Sequence, residues 1–316
     1  MLSRTPSPGR DRSWDRALRG GACLAIAVAC ALRAAPAARA VSVTDASGAA
    51  VEIRSTNRIV SVSPSVTEIL FALGAGDRVV GVDLTSARLP DAKQRTQVGY
   101  QRTLEAAGVL AVAPSLVVGT EDAGPPAVLD ALRAANVAVL VLSNAATTDN
   151  ARARILTLAE LTDTRRAGDS LVAVLDRGLE NAKQRAAAGD SLPRVLFLYT
   201  RGNTPPFLAG AHTPAEAIIT LAGGVNAVTG FDGYRELTAE AVAAANPDVI
   251  LLTDDAWTSL GGESGVRQQP GIELTPAAKN GRLLHYDAQY LLGFGPRLGA
   301  AASELEQALR APPAKP

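Results

Sequence analysis

The sequence predicts an α/β fold in which two Rossmann-like parallel-sheet lobes are joined by a single long α-helix, with a ligand cleft between the lobes. β-Branched strand segments alternate with amphipathic helical segments in both halves of the chain, as in parallel sheets that are covered by helices. Between the halves, a stretch of about 40 residues has helical periodicity and no strand signal. The predicted organisation is an N-terminal lobe (41–147), a connecting helix (148–188), a C-terminal lobe (189–311) and a tail (312–316).

The first 40 residues have the pattern of a cleavable signal peptide. Five arginines precede an apolar run of eleven residues, ACLAIAVACAL, which leads to small residues at Ala38 and Ala40. Eleven apolar residues are too few to span about 30 Å of hydrocarbon, so a membrane anchor is the weaker interpretation. Neither Cys23 nor Cys30 has the preceding residues of a usual lipoprotein site. We therefore expect cleavage after Ala40 and export of the mature chain.

The composition of the mature chain excludes several classes of site. Both cysteines lie in the signal, so the remaining 276 residues (316 minus 40) form neither disulfides nor thiolate metal sites. The first 40 residues contain seven arginines and two aspartates, which leaves 24 basic and 29 acidic residues and a net charge of about −5. An acidic balance argues against a nucleic-acid surface.

The N-terminal lobe is predicted from four strands with helices between them. Ser65 and Glu68 predict a capping box at the start of the first helix, and Gly74 predicts its end. A short helix is predicted over 103–112, and Pro114 separates it from the next strand. The predicted strands are 58–62, 78–82, 115–119 and 137–142, and a further helix covers 125–135.

The connecting helix is predicted from apolar residues, Ile155 and Leu158 among them, that recur at helical spacing over 148–187. Because 40 residues is far beyond the usual helix length, a bend is expected near Asp163 or Gly168. The alternation then resumes in the C-terminal lobe, with strands 194–199, 249–253 and 282–286 and helices 214–223, 238–245 and 297–310.

A faint internal repeat supports the two lobes. The segments EAAGVLAVAPSLVVGTEDA, from Glu105, and EAVAAANPDVILLTDDA, from Glu240, both contain a glutamate, a short helix, a proline, a buried strand and an acidic loop. One copy lies on each side of the connecting helix. Loops at the carboxyl ends of parallel strands line the crevice between such lobes, so the segment QVGYQRTLE (97–105) is expected to face the cleft.

The segments RIVSVSPSVTEILFALGAGDRVVGVD, LAVAPSLVVG, AGAHTPAEAIITLAGGVNAVTGFDGYRELTAEAVAAANPDVIL and LGFGPRL resemble class III substrate-binding proteins of bacterial ABC importers. This group carries haem, cobalamin and ferric siderophores, and the resemblance covers about residues 52–310. Within it, VGYQRTLEAAGVLAVAPSLV and G-x-x-T-P-A-E-A are most similar to the haem-binding branch. The resemblance implies a monomeric periplasmic carrier that delivers ferric haem to an inner-membrane ABC permease with its ATPase. A cobalamin or ferric-siderophore carrier is the alternative.

Tyr100 is the candidate axial ligand of the haem iron. Since the only methionine is the initiator and the mature chain has no thiol, the available ligands are His212, His285 and five tyrosines. The resemblance places the family's axial tyrosine on Tyr100 and its supporting basic residue on Arg102. In an extended segment both side chains would point the same way, and Arg102 could donate a charge-assisted hydrogen bond to the phenolate. The alternatives are a surface tyrosine and, for Arg102, a solvated cation or an ion pair with Glu105.

His212 lies in a loop of the C-terminal lobe that is expected to face the cleft from the other side. The next residues predict a helix start, with Thr213 as N-cap, Pro214 at the first position and Glu216 at the third. By resemblance His212 is a candidate sixth ligand or ligand of a second haem, and an ordinary loop histidine is the alternative. His285 is predicted to be structural. The candidate cations for the haem propionates are Arg201, Arg235 and Arg297.

Glu105 and Glu240 are the candidate permease-docking residues. The resemblance implies that one glutamate on each lobe meets arginines of the permease, and these two residues match by their place at the start of the repeated helices. The alternative is that a carboxylate at a helix start only favours the helix dipole.

An enzyme is not expected from this sequence. No G-x-S-x-G motif occurs, and no phosphate-binding Walker loop is present. Two histidines without a cysteine argue against a catalytic zinc site.

Overall fold

The described part of the protein comprises almost the whole predicted mature chain. The predicted signal peptide lies outside it except for Ala40, and so do Arg201 and most of the predicted tail. No helix in this part is both long and apolar enough to cross a membrane. The computed structural model describes residues 40–189, 192–200, 202 and 204–312.

The N-terminal lobe is built on a parallel sheet. Its strands are β1 (Val41–Thr44), β2 (Ala50–Ile53), β3 (Ile59–Val62), β4 (Val79–Val82), β5 (Thr96–Gln97), β6 (Leu116–Thr120) and β7 (Ala138–Leu142). Its helices are α1 (Pro64–Ala72), α2 (Ala106–Leu110), α3 (Pro126–Ala134) and α4 (Thr148–Leu161). The order in the sheet is β5–β4–β3–β6–β7, with all neighbours parallel, while β1 and β2 form a separate antiparallel hairpin.

Helix α5 (Arg165–Ala187) leads into the C-terminal lobe. The strands of this lobe are β8 (Arg194–Tyr199), β9 (Phe207–Ala209), β10 (Val225–Asn226), β11 (Tyr234–Glu236), β12 (Val249–Thr253) and β13 (Leu283–Tyr286). The helices are α6 (Pro214–Leu221), α7 (Ala239–Ala245), α8 (Asp254–Leu260), α9 (Gly262–Arg267), α10 (Pro276–Lys279), α11 (Ala288–Leu292) and α12 (Leu298–Arg310). The sheet order is β11–β9–β8–β12–β13; β10, β12 and β13 run parallel to their neighbours, and β9 and β11 pair antiparallel.

The predicted fold class and the internal repeat are confirmed. In each lobe a short helix, α2 or α7, leads to a strand, β6 or β12, in which every residue is buried. The residue before the repeated proline has a positive φ in both copies, 45° at Ala113 and 40° at Asn246. The shared backbone conformation indicates that the two segments are structurally equivalent.

The capping box predicted at the start of α1 is wrong. The N-cap is Ser63, two residues earlier than expected, and its side chain makes no capping hydrogen bond. Pro64 takes the first helical position, where its fixed φ and missing N–H are best tolerated, so Ser65 already lies inside the helix. Glu68 turns away from the helix start and forms an ion pair with Arg297 of the C-terminal lobe.

The single helix predicted over 148–188 is also corrected. Helix α4 ends at Leu161, and α5 starts at Arg165 after a break at Asp163, which has φ 56°. Two contacts show that α5 runs back along α4: Gly168 lies against Ala159, and Arg152 Nε is 2.7 Å from Asp176 Oδ1. Only α5, with 23 residues, is therefore the long helix that joins the lobes.

Helix α5 is packed tightly against both lobes through glycines. A Cβ atom on Gly168 would lie 2.5 Å from the Cβ of Ala159 on α4. A Cβ atom on Gly178 would lie 2.5 Å from the carbonyl group of Gly299 on α12. One hydrophobic cluster accordingly extends through both lobes, with Ile155, Leu175, Phe197 and Leu305 among its members.

We predict that Gly178→Ala lowers the free energy of unfolding by about 1–3 kcal/mol, because the added methyl group forces α5 and α12 apart. Urea unfolding followed by circular dichroism measures this change. Gly108→Ala is the matched control, since its Cβ would lie 3.6 Å from the carbonyl oxygen of Val98, an ordinary contact. Equal stability of the two variants would contradict the tight packing of the connector.

Candidate functional site

A cleft with two compartments lies between the lobes. The polar compartment, of about 490 Å³, is lined by hydroxyl and amide side chains together with Arg154 and His212. The apolar compartment, of about 660 Å³, has Leu89, Pro90 and Tyr290 in its lining. Both volumes fall in the range of small-molecule sites. The compartments adjoin each other, since they share Pro64, Thr85, Gln289, Leu292 and Gly293.

The LGFGPRL segment holds the lobes together at the cleft. The carbonyl oxygen of Phe294 accepts a hydrogen bond of 2.7 Å from Arg154 Nη2 on α4. Arg297, three residues later, pairs with Glu68 on α1. A second pair joins the lobes at the apolar compartment, where Arg88 makes two hydrogen bonds, of 2.9 and 3.0 Å, to Asp255. These contacts fix the width of the cleft in this conformation.

A buried carboxylate organises the loop that carries Tyr100. Asp83, at the carboxyl end of β4, accepts hydrogen bonds from the backbone N–H groups of Thr85 (2.9 Å) and Ser86 (3.3 Å). Burial raises the pKa of Asp83, although its hydrogen bonds act in the opposite direction. The Thr85 hydroxyl in turn donates to Gln101 Oε1 at 3.0 Å, and the nearly buried Gln101 lines the polar compartment. Tyr100 is therefore next to a residue that is held in the cleft wall.

The structure corrects the expected arrangement of Tyr100 and Arg102. The two residues follow the short strand β5 and lie in a turn closed by a hydrogen bond of 2.9 Å from Thr103 N–H to Tyr100 C=O, so the segment is not extended. Tyr100 is half-buried. Arg102 pairs with Asp122, at 3.0 Å, rather than with Glu105. Asp122 lines the polar compartment, so the ion pair places Arg102 next to the cleft. The sequence did not predict this pair.

Three other tyrosines are poorly suited to bind iron as phenolates. Burial raises the pKa of Tyr234. Burial and the nearby Glu304 raise the pKa of Tyr286. Burial also raises the pKa of Tyr290, and its hydroxyl donates a hydrogen bond of 2.8 Å to Glu304, which stabilises the protonated phenol further. A raised pKa makes each of these three phenols harder to ionise.

His212 lies in the lining of the polar compartment, on the side of the C-terminal lobe. Its φ is 58°, its side chain is 81% exposed, and its Nδ1 is 3.2 Å from Asp232 Oδ1. The predicted helix start is confirmed: the Thr213 hydroxyl accepts from the N–H of Glu216, and Glu216 accepts from the N–H of His212. His212 and Gln101 thus face one compartment from opposite lobes.

The remaining predicted site residues lie in other surroundings. His285 Nδ1 is 2.6 Å from Asp254 Oδ1, and its ring stacks on Trp257. Arg235 lies over the Phe231 ring, and Arg297 lines the apolar compartment with its charge already paired. The described residues contain no group of three or more His, Cys, Asp and Glu side chains that could hold a metal ion.

Both Glu105, the residue before α2, and Glu240, the second residue of α7, are exposed.

Sequence reasoning missed Arg154, which is 4% exposed and lines the polar compartment. It lies on α4 between the buried residues Ala151 and Ile155, and Leu158 continues the same face. The sequence feature that could have revealed it is an arginine on the helix face where the apolar residues recur. Such a residue must find polar partners inside the protein, and here they come from both lobes.

Comparison with known proteins places this architecture in a family. The model of the periplasmic binding protein family matches residues 59–290. The structure of the periplasmic heme-binding protein RhuT from Roseiflexus sp. RS-1 is 38% identical, with a TM-score of 0.77, over 81% of this chain and 98% of RhuT. The YvrC substrate-binding lipoprotein of a Bacillus subtilis ABC transporter is 26% identical over 85% of each chain. A vitamin B12-binding protein of Vibrio cholerae is 26% identical over 63% of this chain and 71% of its own length. The chain belongs to the periplasmic binding protein family and is a class III substrate-binding protein.

Proposed function

We propose that the protein captures ferric haem in the interlobe cleft and carries it to an inner-membrane ABC importer. The observation that supports this proposal is the cleft itself, which joins an apolar compartment to a polar one beside the Tyr100 turn. Ferric haem matches this division, because it combines a flat apolar ring with two carboxylates and an iron that accepts a phenolate. The similarity to the heme-binding RhuT supports the same ligand.

A cobalamin or ferric-siderophore carrier is the second candidate. The B12-binding relatives favour cobalamin, although they match at lower identity and over less of the chain than RhuT does. An exported enzyme with this fold is the candidate from a different class. Titration with haem, cyanocobalamin and a ferric siderophore separates the carriers, and turnover of any bound compound would favour the enzyme.

Within the proposed haem site, Tyr100 supplies the axial oxygen to the iron. Arg102 keeps positive charge next to the Tyr100 turn while its pair with Asp122 holds it there. A cation near a phenol favours the charged phenolate form. His212 reaches the cleft from the C-terminal lobe and is the proposed second ligand residue, for a sixth coordination position or another haem.

We expect hemin titration to give a Soret band and a high-spin ferric tyrosinate spectrum, and Tyr100→Phe to lose both. The affinity should fall by more than about 100-fold, since even groups that only support a metal ligand contribute about 10- to 100-fold. Arg102→Ala, as such a supporting group, should fall within that smaller range. Absorption spectroscopy with purified variants measures these changes.

Tyr234→Phe is the matched control and should retain the tyrosinate spectrum, because it removes a phenol whose pKa is raised. In the same titration, His212→Ala should reduce the number of haems bound or convert a six-coordinate spectrum to a five-coordinate one. An unchanged spectrum in Tyr100→Phe would refute the axial role of Tyr100. An unchanged titration of His212→Ala would remove His212 from the site.

We propose further that the loaded protein docks on the permease through Glu105 and Glu240. Both carboxylates are exposed at the starts of equivalent helices, one on each lobe, and the tightly packed α5 keeps their separation constant. Two acidic points at a constant separation suit a partner with two-fold symmetry and basic residues.

Replacing both glutamates by arginine should abolish haem transport in cells while leaving haem affinity unchanged, because like charges would then meet at the permease. Uptake of haem as sole iron source and spectroscopic titration measure the two quantities. Glu52→Arg, an exposed charge reversal on β2, is the control and should transport normally. Loss of haem affinity in the double variant would contradict a pure docking role.

Export through the predicted signal implies a mature chain that begins at Val41. Intact-mass measurement of the protein from a periplasmic extract should give the mass of residues 41–316 without a lipid. A mass that includes residues 1–40, or an added diacylglycerol, would overturn the proposed cleavage after Ala40.

A further inference from the structure

Arg154 is a buried cation without an acidic partner among the described residues. Its Nη1 donates to Ser65 Oγ at 2.9 Å, and its Nη2 donates to the Phe294 carbonyl oxygen at 2.7 Å. Its Nε has no hydrogen-bond partner in the part of the chain that the structure describes. Both observed partners are neutral, so nothing in this part of the chain balances the charge of the guanidinium.

An uncompensated buried charge is destabilising, and the protein retains it in the wall of the proposed ligand site. Burial lowers the pKa of Arg154 to about 10, so the side chain remains a cation at neutral pH. The positive charge is therefore fixed in a place where little water can screen it, which strengthens its attraction for an anion.

The first turn of α1 adds to the positive potential at the same place. Ser63, Pro64 and Ser65 line the polar compartment, and the nine-residue helix that starts there has no side-chain cap. The first N–H groups of a helix point outward with partial positive charge and bind anions. The hydroxyls of Ser63 and Thr120, 3.3 Å apart, provide further hydrogen-bonding groups in the lining.

The other charged groups of the cleft are already paired except for Asp287, which lines the apolar compartment and accepts a hydrogen bond from the N–H of Tyr290. In the polar compartment Asp122 pairs with Arg102, and His212 is near Asp232. In the apolar compartment Arg88 and Arg297 pair with Asp255 and Glu68. Arg154 is therefore the lining cation, within the described chain, that still requires a counter-charge.

We propose that Arg154 and the uncapped first turn of α1 form a carboxylate-binding subsite in the polar compartment. Under the proposed function, on which this step rests, the subsite receives a propionate of haem while the ring lies toward the apolar compartment. The corrin ring of cobalamin has amides in place of carboxylates, and its one acidic group is the phosphodiester of the nucleotide loop, so its ring offers no carboxylate to this subsite. Arg154 is a specificity residue for the ligand's acid group and not a ligand of the iron.

The test compares hemin with hemin dimethyl ester, which keeps the iron and the ring but has no carboxylate. The wild-type protein should bind hemin about tenfold or more tightly than the ester, as expected for hydrogen bonds to a charged group. Arg154→Gln should lose this preference by weakening hemin and leaving the ester nearly unchanged. Arg154→Lys should keep part of it.

Arg58→Gln is the matched control, because Arg58 also donates to backbone carbonyl groups, those of Val112 and Ala113, but lies before β3, at the opposite end of the sheet. Thermal unfolding of each variant checks that it folds; if Arg154→Gln does not, the wild-type comparison decides alone. Equal wild-type affinities for acid and ester, or a preference that survives in a folded Arg154→Gln, would overturn the subsite. Failure of both compounds to bind would instead refute the proposed haem carrier.

Discussion

The attachment of α5 to both lobes is the constraint on which the cleft depends. Gly168 brings its first turns against α4, and Gly178 brings its middle against the backbone of α12, so the connector cannot move relative to either lobe without opening tightly packed contacts. The LGFGPRL segment adds hydrogen bonds from the C-terminal lobe to α1 and α4. A cleft held in this way is largely preformed, and a ligand that enters it loses little free energy to ordering the protein.

The same rigidity allows the site to hold polar groups in unfavourable surroundings. Asp83 and Arg154 are both buried, and each would regain water if the lobes or the loops relaxed. Asp83 orders the Thr85 turn, which holds Gln101 and hence the Tyr100 turn, whereas Arg154 bonds to both lobes. One buried carboxylate thus positions the proposed iron ligand, and one buried cation faces the space where the ligand's acid groups would lie.

The sequence predicted the regular parts of the fold and missed the contacts that depend on tertiary packing. Strands β6 and β12 were recognisable because continuous apolar runs before acidic loops are typical of buried parallel strands. The length of the helical stretch predicted a bend near Asp163 or Gly168, but the periodicity, which is the same on both sides, did not show that the helix ends there and that α5 turns back along α4. Tyr100 and Arg102 were predicted to lie in an extended segment with their side chains pointing the same way. The turn at Tyr100–Thr103 and the position of Asp122 depend instead on residues that are distant in the chain.

The charge balance of the cleft gives an argument for haem that is independent of overall similarity. The corrin ring of cobalamin has amides, and its anionic group is a phosphodiester on the nucleotide loop, so cobalamin brings no carboxylate to a cation beside the ring. An amphipathic anion with an oxidised metal at its centre satisfies three features together: the apolar compartment, the guanidinium of Arg154, which has no acidic partner among the described residues, and a tyrosine beside the cleft. Tyr100, between β5 and α2, and Arg154, on α4, are brought together by the folding of the N-terminal lobe, whereas the apolar compartment also needs Gln289, Tyr290 and Arg297 of the C-terminal lobe.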